Sequence, residues 1–152
     1  MIKIGIDIQG GHYAPEATTL GSILAYNELP FDTKLVLIGQ EKVILDILAR
    51  EKFDHTNFEI VNAEETIGMG EHPAKTFAVK KNSSMAIGFG LLSKNQINGF
   101  ASAGNTGAML VGTMLTIRSV PGIIRPCITA AIPNVEGSVS LVLDVGINPD
   151  CR

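Results

Sequence analysis

Apolar runs alternate with amphipathic segments along the chain, and the two patterns predict strands and helices in turn. Runs rich in β-branched residues predict four strands, at 2–8, 33–39, 58–61 and 99–103. Helical spacing of apolar residues predicts helices at 15–29, 40–52, 83–95 and 106–118. In the first of them the spaced residues are Leu20, Ile23 and Leu24. Near-continuous apolar strands that alternate with helices are typical of a mainly parallel sheet covered on both faces, so the pattern predicts an α/β fold.

Two further strands are predicted near the end of the chain, at 126–133 and 138–146. The four-residue turn 134–137 is short enough for these strands to form an antiparallel hairpin. No internal repeat or linker interrupts the sequence, and we expect a single α/β domain over 1–152. The chain stops just after a strong strand, where an α/β fold normally supplies another helix. We therefore expect these residues to be the N-terminal portion of a longer chain.

Four loops follow predicted strands and are polar and rich in glycine: 7–14, 62–82, 102–107 and 144–150. The second of them has room for a short helix opened by Pro73. Ligands of open α/β sheets bind outside the carboxyl ends of the strands, so these loops are the expected places for a site.

The 102–107 loop joins a predicted strand to a predicted helix and has the composition of an anion site. Its candidate residues are Ser102, Gly104, Asn105, Thr106 and Gly107. The polar side chains offer donors, the glycines admit a ligand to the backbone, and the helix start favours an anion, above all phosphate. The alternative is a tight turn in which Asn105 or Thr106 only caps the helix. The loop lacks GK[ST] and a complete GxGxxG, so neither ATP nor NAD follows from it.

The other loops carry further candidates, each with an alternative in turn formation, helix capping or a solvated surface. The candidates for phosphate or substrate binding are Asp7, Gly10, Gly11, Ser83, Ser84, Asp144 and Asn148. Positive charge for an anionic substrate could come from Lys75, Lys80 and Lys81. His12 is a possible acid–base group or a solvated loop residue. Asn82 or Ser83 is the expected N-cap of the 83–95 helix.

Composition and charge narrow the function classes. The net charge is −3 without any block of like charges, which argues against a nucleic-acid partner. The three histidines lack HExxH spacing and no CxxC accompanies them, so we expect neither a metal nor a cofactor. No uncharged apolar run reaches the roughly 18 residues of a membrane span, and the chain begins with a strand pattern rather than a signal peptide. We expect a cytoplasmic protein.

The histidines also do not assemble with a serine or cysteine into a nucleophile–base pair. Chemistry in which the substrate anion is itself the nucleophile does not need such a pair. It needs positioning and donors for the developing oxyanion.

Five segments together resemble the phosphate acyltransferase family called PlsX, in that family's order and spacing. They are DIQGGHYAPEA (7–17), ETIGMGEHPAKTFAVKKNSSM (65–85), SAGNTGAML (102–110), IRPC (124–127) and LDVGINPDC (143–151). The resemblance implies transfer of a fatty acyl group from acyl carrier protein to inorganic phosphate, which gives acyl phosphate for phospholipid synthesis. It also implies a three-layer α/β/α sandwich like isocitrate and isopropylmalate dehydrogenases and phosphotransacetylase, and a homodimer without a cofactor.

The resemblance makes Asn105, Thr106 and Lys81 the candidate catalytic residues. Family members are considerably longer, and their second half carries much of the dimer contact and surface helices for peripheral membrane contact. The chain departs from the family at His12 and Asn82, where aspartate is usual. A phosphotransacetylase-like enzyme that uses acyl-CoA and a non-catalytic anion-binding module stay open as alternatives.

Overall fold

The computed structural model describes residues 1–123 and 126–144. The chain divides into two compact units, the first comprising Met1–Ile117 and the second beginning at Arg118. The predicted site residue Asn148 and the end of the predicted 138–146 strand lie outside the described residues. The single domain over 1–152 stays a prediction.

The first unit is built around a four-stranded parallel sheet with the strand order β3-β2-β1-β4. Its elements are β1 (Ile2–Asp7), α1 (Glu16–Glu28), β2 (Thr33–Gly39), α2 (Glu41–Arg50), β3 (Glu59–Asn62), α3 (Pro73–Val79), α4 (Ser84–Ser93), β4 (Gly99–Ala101) and α5 (Thr106–Gly112). A single 3-10 turn precedes β3, and α5 passes into a π-helical turn at Thr113–Ile117. The predicted α/β fold with a mostly parallel, helix-flanked sheet is confirmed, and so is the short helix at Pro73.

The central strand β2 shows why both faces of this sheet are covered. Leu35 and Leu37 belong to the core cluster on one face, which includes buried side chains of α2. Val36 and Ile38 belong to a second cluster on the other face, against which partly buried residues of α4 pack. Successive strand residues point to opposite faces, so a strand that is apolar throughout has to be covered twice.

Helix α1 buries only part of the stripe that its apolar spacing indicates, with Ile23 packed against the core. Leu24 is 67% exposed, whereas Thr19 and Ser22 are buried. The Thr19 hydroxyl donates to the Pro15 carbonyl and the Ser22 hydroxyl to the Thr18 carbonyl, each at 2.8 Å. These small side chains satisfy their own polar atoms within the helix, so their burial leaves no unpaired group.

The second unit contains an antiparallel hairpin of β5 (Thr129–Pro133) and β6 (Val139–Leu143). The predicted hairpin is therefore confirmed. Its turn places Gly137 at a φ of +81°, in the left-handed region that favours glycine. Leu141 and Leu143 are 67% and 61% exposed. Because both side chains are exposed, they do not form a core. A two-stranded hairpin by itself is only marginally stable in water.

Glycine at position 88 lets α4 approach β4 closely. A Cβ at Gly88 would lie 2.8 Å from Phe100 Cδ2 and nearer still to two other atoms of that ring. Gly90, on the same helix, has no atom within 4 Å of the place where a Cβ would stand. The two glycines therefore offer a matched comparison of packing against helix propensity.

We expect Gly88→Ala to lower the free energy of unfolding by about 1–3 kcal/mol, the usual cost of overpacking a core. Gly90→Ala should instead raise it by about 0.5–1 kcal/mol, because alanine favours a helix interior over glycine. Urea unfolding of both variants measures the difference. Equal effects of the two substitutions would contradict the close contact between α4 and β4.

Candidate functional site

The ends of β1 and β4 are joined by a buried carboxylate. The Ser102 hydroxyl donates to Asp7 Oδ2 at 2.6 Å, and the Gln9 N–H donates to Asp7 Oδ1 at 3.0 Å. The Gly104 N–H donates to Ser102 Oγ, also at 3.0 Å. Asp7 is only 2% exposed. The sequence-predicted residues Asp7, Ser102 and Gly104 thus lie together, and the contacts among them position the two loops.

Two of the predicted glycines stand where these loops approach each other. A Cβ at Gly10 would lie 2.7 Å from Ser102 Oγ and 2.9 Å from the Gly104 nitrogen. A Cβ at Gly104 would lie 3.2 Å from Gly10 Cα. Gly11 follows with a φ of +116°, in the region that favours glycine. The contact between the loops is therefore sufficient reason for glycine at both 10 and 104.

Asn105 caps α5 and at the same time holds a distant loop. Its Oδ1 accepts from the Ala108 N–H at 3.0 Å, which is the N-cap bond. Its Nδ2 donates to the carbonyl oxygens of Gly68, Met69 and Glu71 at 3.1, 3.2 and 3.0 Å. The side chain is 6% exposed. The capping interpretation is therefore confirmed for Asn105. Both N–H donors of its side-chain amide are hydrogen-bonded to the protein.

Thr106 is the predicted residue of this loop that is open to solvent. It begins α5, and within residues 1–123 and 126–144 neither its N–H nor that of Gly107 has a protein acceptor. The first N–H groups of a helix carry a partial positive charge and accept anions. The hydroxyl of Thr106 adds a third donor at the same place.

Gly107 is held close to the start of α3. A Cβ at this position would lie 2.5 Å from Pro73 Cγ and 3.1 Å from Pro73 Cβ. The packing of α5 on α3 therefore requires a glycine here, whatever else this loop binds.

The lysines that follow α3 differ in their surroundings. Lys80 Nζ bonds both carboxylate oxygens of Glu71, at 2.8 and 2.9 Å, and the Thr66 carbonyl at 2.6 Å. The hydrogen bond from Lys80, with a second from the Gly68 N–H, lowers the pKa of Glu71 from its ordinary value. The candidate Lys81 is exposed, and in the described part of the chain its ammonium has no partner. Sequence reasoning selected Lys81 and missed the Lys80–Glu71 pair, for which nine-residue spacing gives no local signal.

The two candidate serines are buried at the start of α4. Ser83 Oγ accepts from the Ala86 N–H at 3.3 Å and donates to the Lys80 carbonyl at 2.8 Å. Ser83 is therefore the N-cap, one of the two residues predicted for that role. Ser84 is 2% exposed.

The remaining described candidates are His12 and Asp144. His12 is exposed in the loop after β1. Asp144 belongs to the second unit, where its N–H donates to the Ile128 carbonyl at 2.6 Å and its φ is +59°.

Among the described residues, no group of His, Cys, Asp and Glu is arranged to hold a metal ion. In the same part of the chain, no helix is both long and apolar enough to cross a membrane.

Comparison with solved structures defines the class of fold. The EutD phosphotransacetylase from Staphylococcus aureus matches with a TM-score of 0.64 at 17% identity, and a phosphotransacetylase from Streptococcus pyogenes with 0.67 at 16%. Each match covers 99% of this chain and 48% of the other. At such identities the likeness shows a shared fold.

Sequence comparison gives the family. The model of the family described as "Fatty acid synthesis protein" matches residues 2–152, and the chain belongs to that family. Similar proteins include the phosphate acyltransferases of Dictyoglomus thermophilum, 41% identical, and Clostridioides difficile, 36% identical, each over 151 residues. These matches cover 99% of this chain and 44% of the relative, so the chain spans less than half the length of these relatives. The resemblance inferred from the five segments is confirmed.

Gly107→Ala should lower the free energy of unfolding by about 1–3 kcal/mol, because the new methyl group would overlap Pro73 Cγ. Pro73→Ala removes that atom, so the same substitution should cost far less in the Pro73→Ala background. Urea unfolding of the two single variants and the double variant tests this. An equal cost in both backgrounds would show that contact with Pro73 is not the reason for the glycine.

Proposed function

We propose that inorganic phosphate binds at the start of α5. The observation that carries the proposal is the pair of N–H groups on Thr106 and Gly107 that have no acceptor among the described residues, with the Thr106 hydroxyl beside them. Helix starts with free N–H groups bind phosphate well, because their partial charges and hydrogen bonds converge on the anion. The Asp7–Ser102 contact holds this end of the loop, so these donors are already in place before phosphate binds.

We further propose that the protein transfers a fatty acyl group from a thioester to this phosphate. A phosphate oxygen attacks the thioester carbonyl carbon and forms the new C–O bond. The C–S bond then breaks, the sulfur leaves as a thiolate, and a proton from solvent neutralises it. Phosphate is itself the nucleophile, so the step needs no activated serine or cysteine. The relatives named phosphate acyltransferase support this reaction.

In this reaction Lys81 is proposed to offset the negative charge that gathers as phosphate and donor meet. Its ammonium is exposed and is not engaged by a carboxylate, unlike that of Lys80. Acyl carrier protein is the proposed donor and phospholipid synthesis the proposed destination of the acyl phosphate. A homodimer in the cytoplasm, in peripheral contact with the membrane, is the proposed form of the protein. These points rest on the family resemblance.

A second candidate is a phosphotransacetylase-like reaction with acyl-CoA as the donor. The similarity in fold to two phosphotransacetylases favours it. It would keep the same phosphate end and differ in the thiol carrier. A module that only binds an anion is the remaining alternative.

Incubation of the protein with phosphate and either acyl-ACP or acyl-CoA separates these functions. We expect acyl phosphate, trapped as the hydroxamate, to form from acyl-ACP. Formation only from acyl-CoA would favour the second candidate. Phosphate binding without turnover of either donor would leave the binding module.

Thr106→Val should reduce kcat/KM for phosphate by about ten- to a hundredfold, since a hydrogen bond to a charged group contributes roughly 1.5–3 kcal/mol. Valine keeps the shape of threonine and removes only the hydroxyl. Thr106→Ser restores the hydroxyl and should retain most of the activity. Unchanged kinetics of Thr106→Val would remove the hydroxyl from the proposed site.

A further inference from the structure

The 66–72 loop is held from two sides by side chains outside it. Asn105 holds it from the start of α5, through the three carbonyl oxygens of Gly68, Met69 and Glu71. Lys80 holds it from the end of α3, through the Thr66 carbonyl and the Glu71 carboxylate. The loop is also closed within itself, because Glu71 Oε2 accepts from the Gly68 N–H at 3.2 Å.

The hydrogen-bond donors of Asn105 are all engaged and leave none for a phosphate ion. A side-chain amide has two N–H donors, and three carbonyl oxygens already share them. Its oxygen accepts the bond that caps α5. With 6% of the residue exposed, Asn105 has no surface from which to contact phosphate.

The same side chain nevertheless connects the loop to the proposed phosphate donors. Oδ1 of Asn105 holds the first turn of α5, whose exposed N–H groups belong to Thr106 and Gly107, and Nδ2 holds the 66–72 loop. A displacement of the loop therefore moves the amide and, with it, the start of the helix. Among the described residues the Lys80 ammonium bonds the loop and has no hydrogen bond to α5, so its bonds reach those N–H groups through the loop.

We propose that Asn105 and Lys80 are positioning residues that together fix the 66–72 loop against the start of α5, rather than groups that contact substrate. The proposal rests on the proposed function, because the geometry that it protects is the phosphate site. It also moves Asn105 from the candidate catalytic residues to a supporting role. Small misplacements matter in such a site, since an error of about 1 Å can cost a hundredfold in rate.

A double-mutant cycle with Asn105→Ser and Lys80→Met tests the proposal. Serine still caps a helix but lacks the amide that binds the loop, and methionine keeps the length of lysine without its charge. Each single variant should lower kcat/KM for phosphate by about ten- to a hundredfold. The double variant should be no worse than the poorer single variant, because both remove the same support.

Amide hydrogen exchange supplies a second readout that does not depend on turnover. The Gly68 and Glu71 amides are hydrogen-bonded within the loop and should exchange faster in both single variants than in the wild type. Lys80→Arg, which can still bond the carboxylate, should restore slow exchange and activity. Lys42→Met removes an equal charge from the exposed face of α2 and should change neither.

Several outcomes would overturn the proposal. Multiplying losses in the double variant would mean that Asn105 and Lys80 act independently and not through one shared support. Unchanged exchange and kinetics in Lys80→Met, or a lower melting temperature with unchanged kinetics, would give the pair a structural role alone. If the wild type forms no acyl phosphate, the proposed function fails separately. The phosphate Kd then decides the positioning proposal. We expect the Kd to rise in both single variants, and an unchanged Kd would contradict the proposal.

Discussion

The hydrogen bond from the Ser102 hydroxyl to the Asp7 carboxylate joins the loops that follow the paired strands β1 and β4, and the geometry of the site depends on it. A buried carboxylate is stable only where hydrogen-bond donors surround it, so Asp7 needs donors from both loops close to it. The resulting approach leaves no room for a Cβ at Gly10 or Gly104. Ser102 stands three residues before Asn105, which caps α5 and reaches the 66–72 loop.

The contact between the two loops changes the interpretation of the glycines in the 102–107 loop. In the sequence, glycine next to polar residues after a strand is typical of an anion site. In the structure, Gly10 and Gly104 serve the contact between two loops and Gly107 serves the contact of α5 with Pro73. Glycine content alone therefore does not distinguish a phosphate loop from a tightly packed turn. Phosphate binding is supported instead by the donors of Thr106, an exposed residue whose N–H has no acceptor among the described residues.

The sequence predicts the elements well and the side-chain partners poorly, for a physical reason. Strands, helices and the hairpin follow from local apolar periodicity, and the Ser83 cap follows from a bond over three residues. The partners of Asn105 lie 34–37 residues away, and no periodicity encodes such a contact. The burial of Thr19 was also missed, because it depends on a hydroxyl bond inside the helix that a hydropathy pattern treats as polar. Lys80 and Lys81 are the same residue type in adjacent positions, and it is the contact of Lys80 with Glu71 that makes their surroundings differ.

Similarity in fold to phosphotransacetylases and membership of the fatty acid synthesis family are compatible at this end of the molecule. Both reactions join an acyl group to phosphate, so both can use the same exposed N–H groups at the start of a helix. A fold supports several functions, and residues at the site choose between them. In the proposed reaction the donors at Thr106 contact the phosphate oxygens, which are the same whichever thiol carries the acyl group. Selection between acyl carrier protein and coenzyme A therefore has to come from residues that contact the thiol carrier. In the proposed function, the Asp7–Ser102 hydrogen bond and the Asn105 cap support the step that the two reactions share.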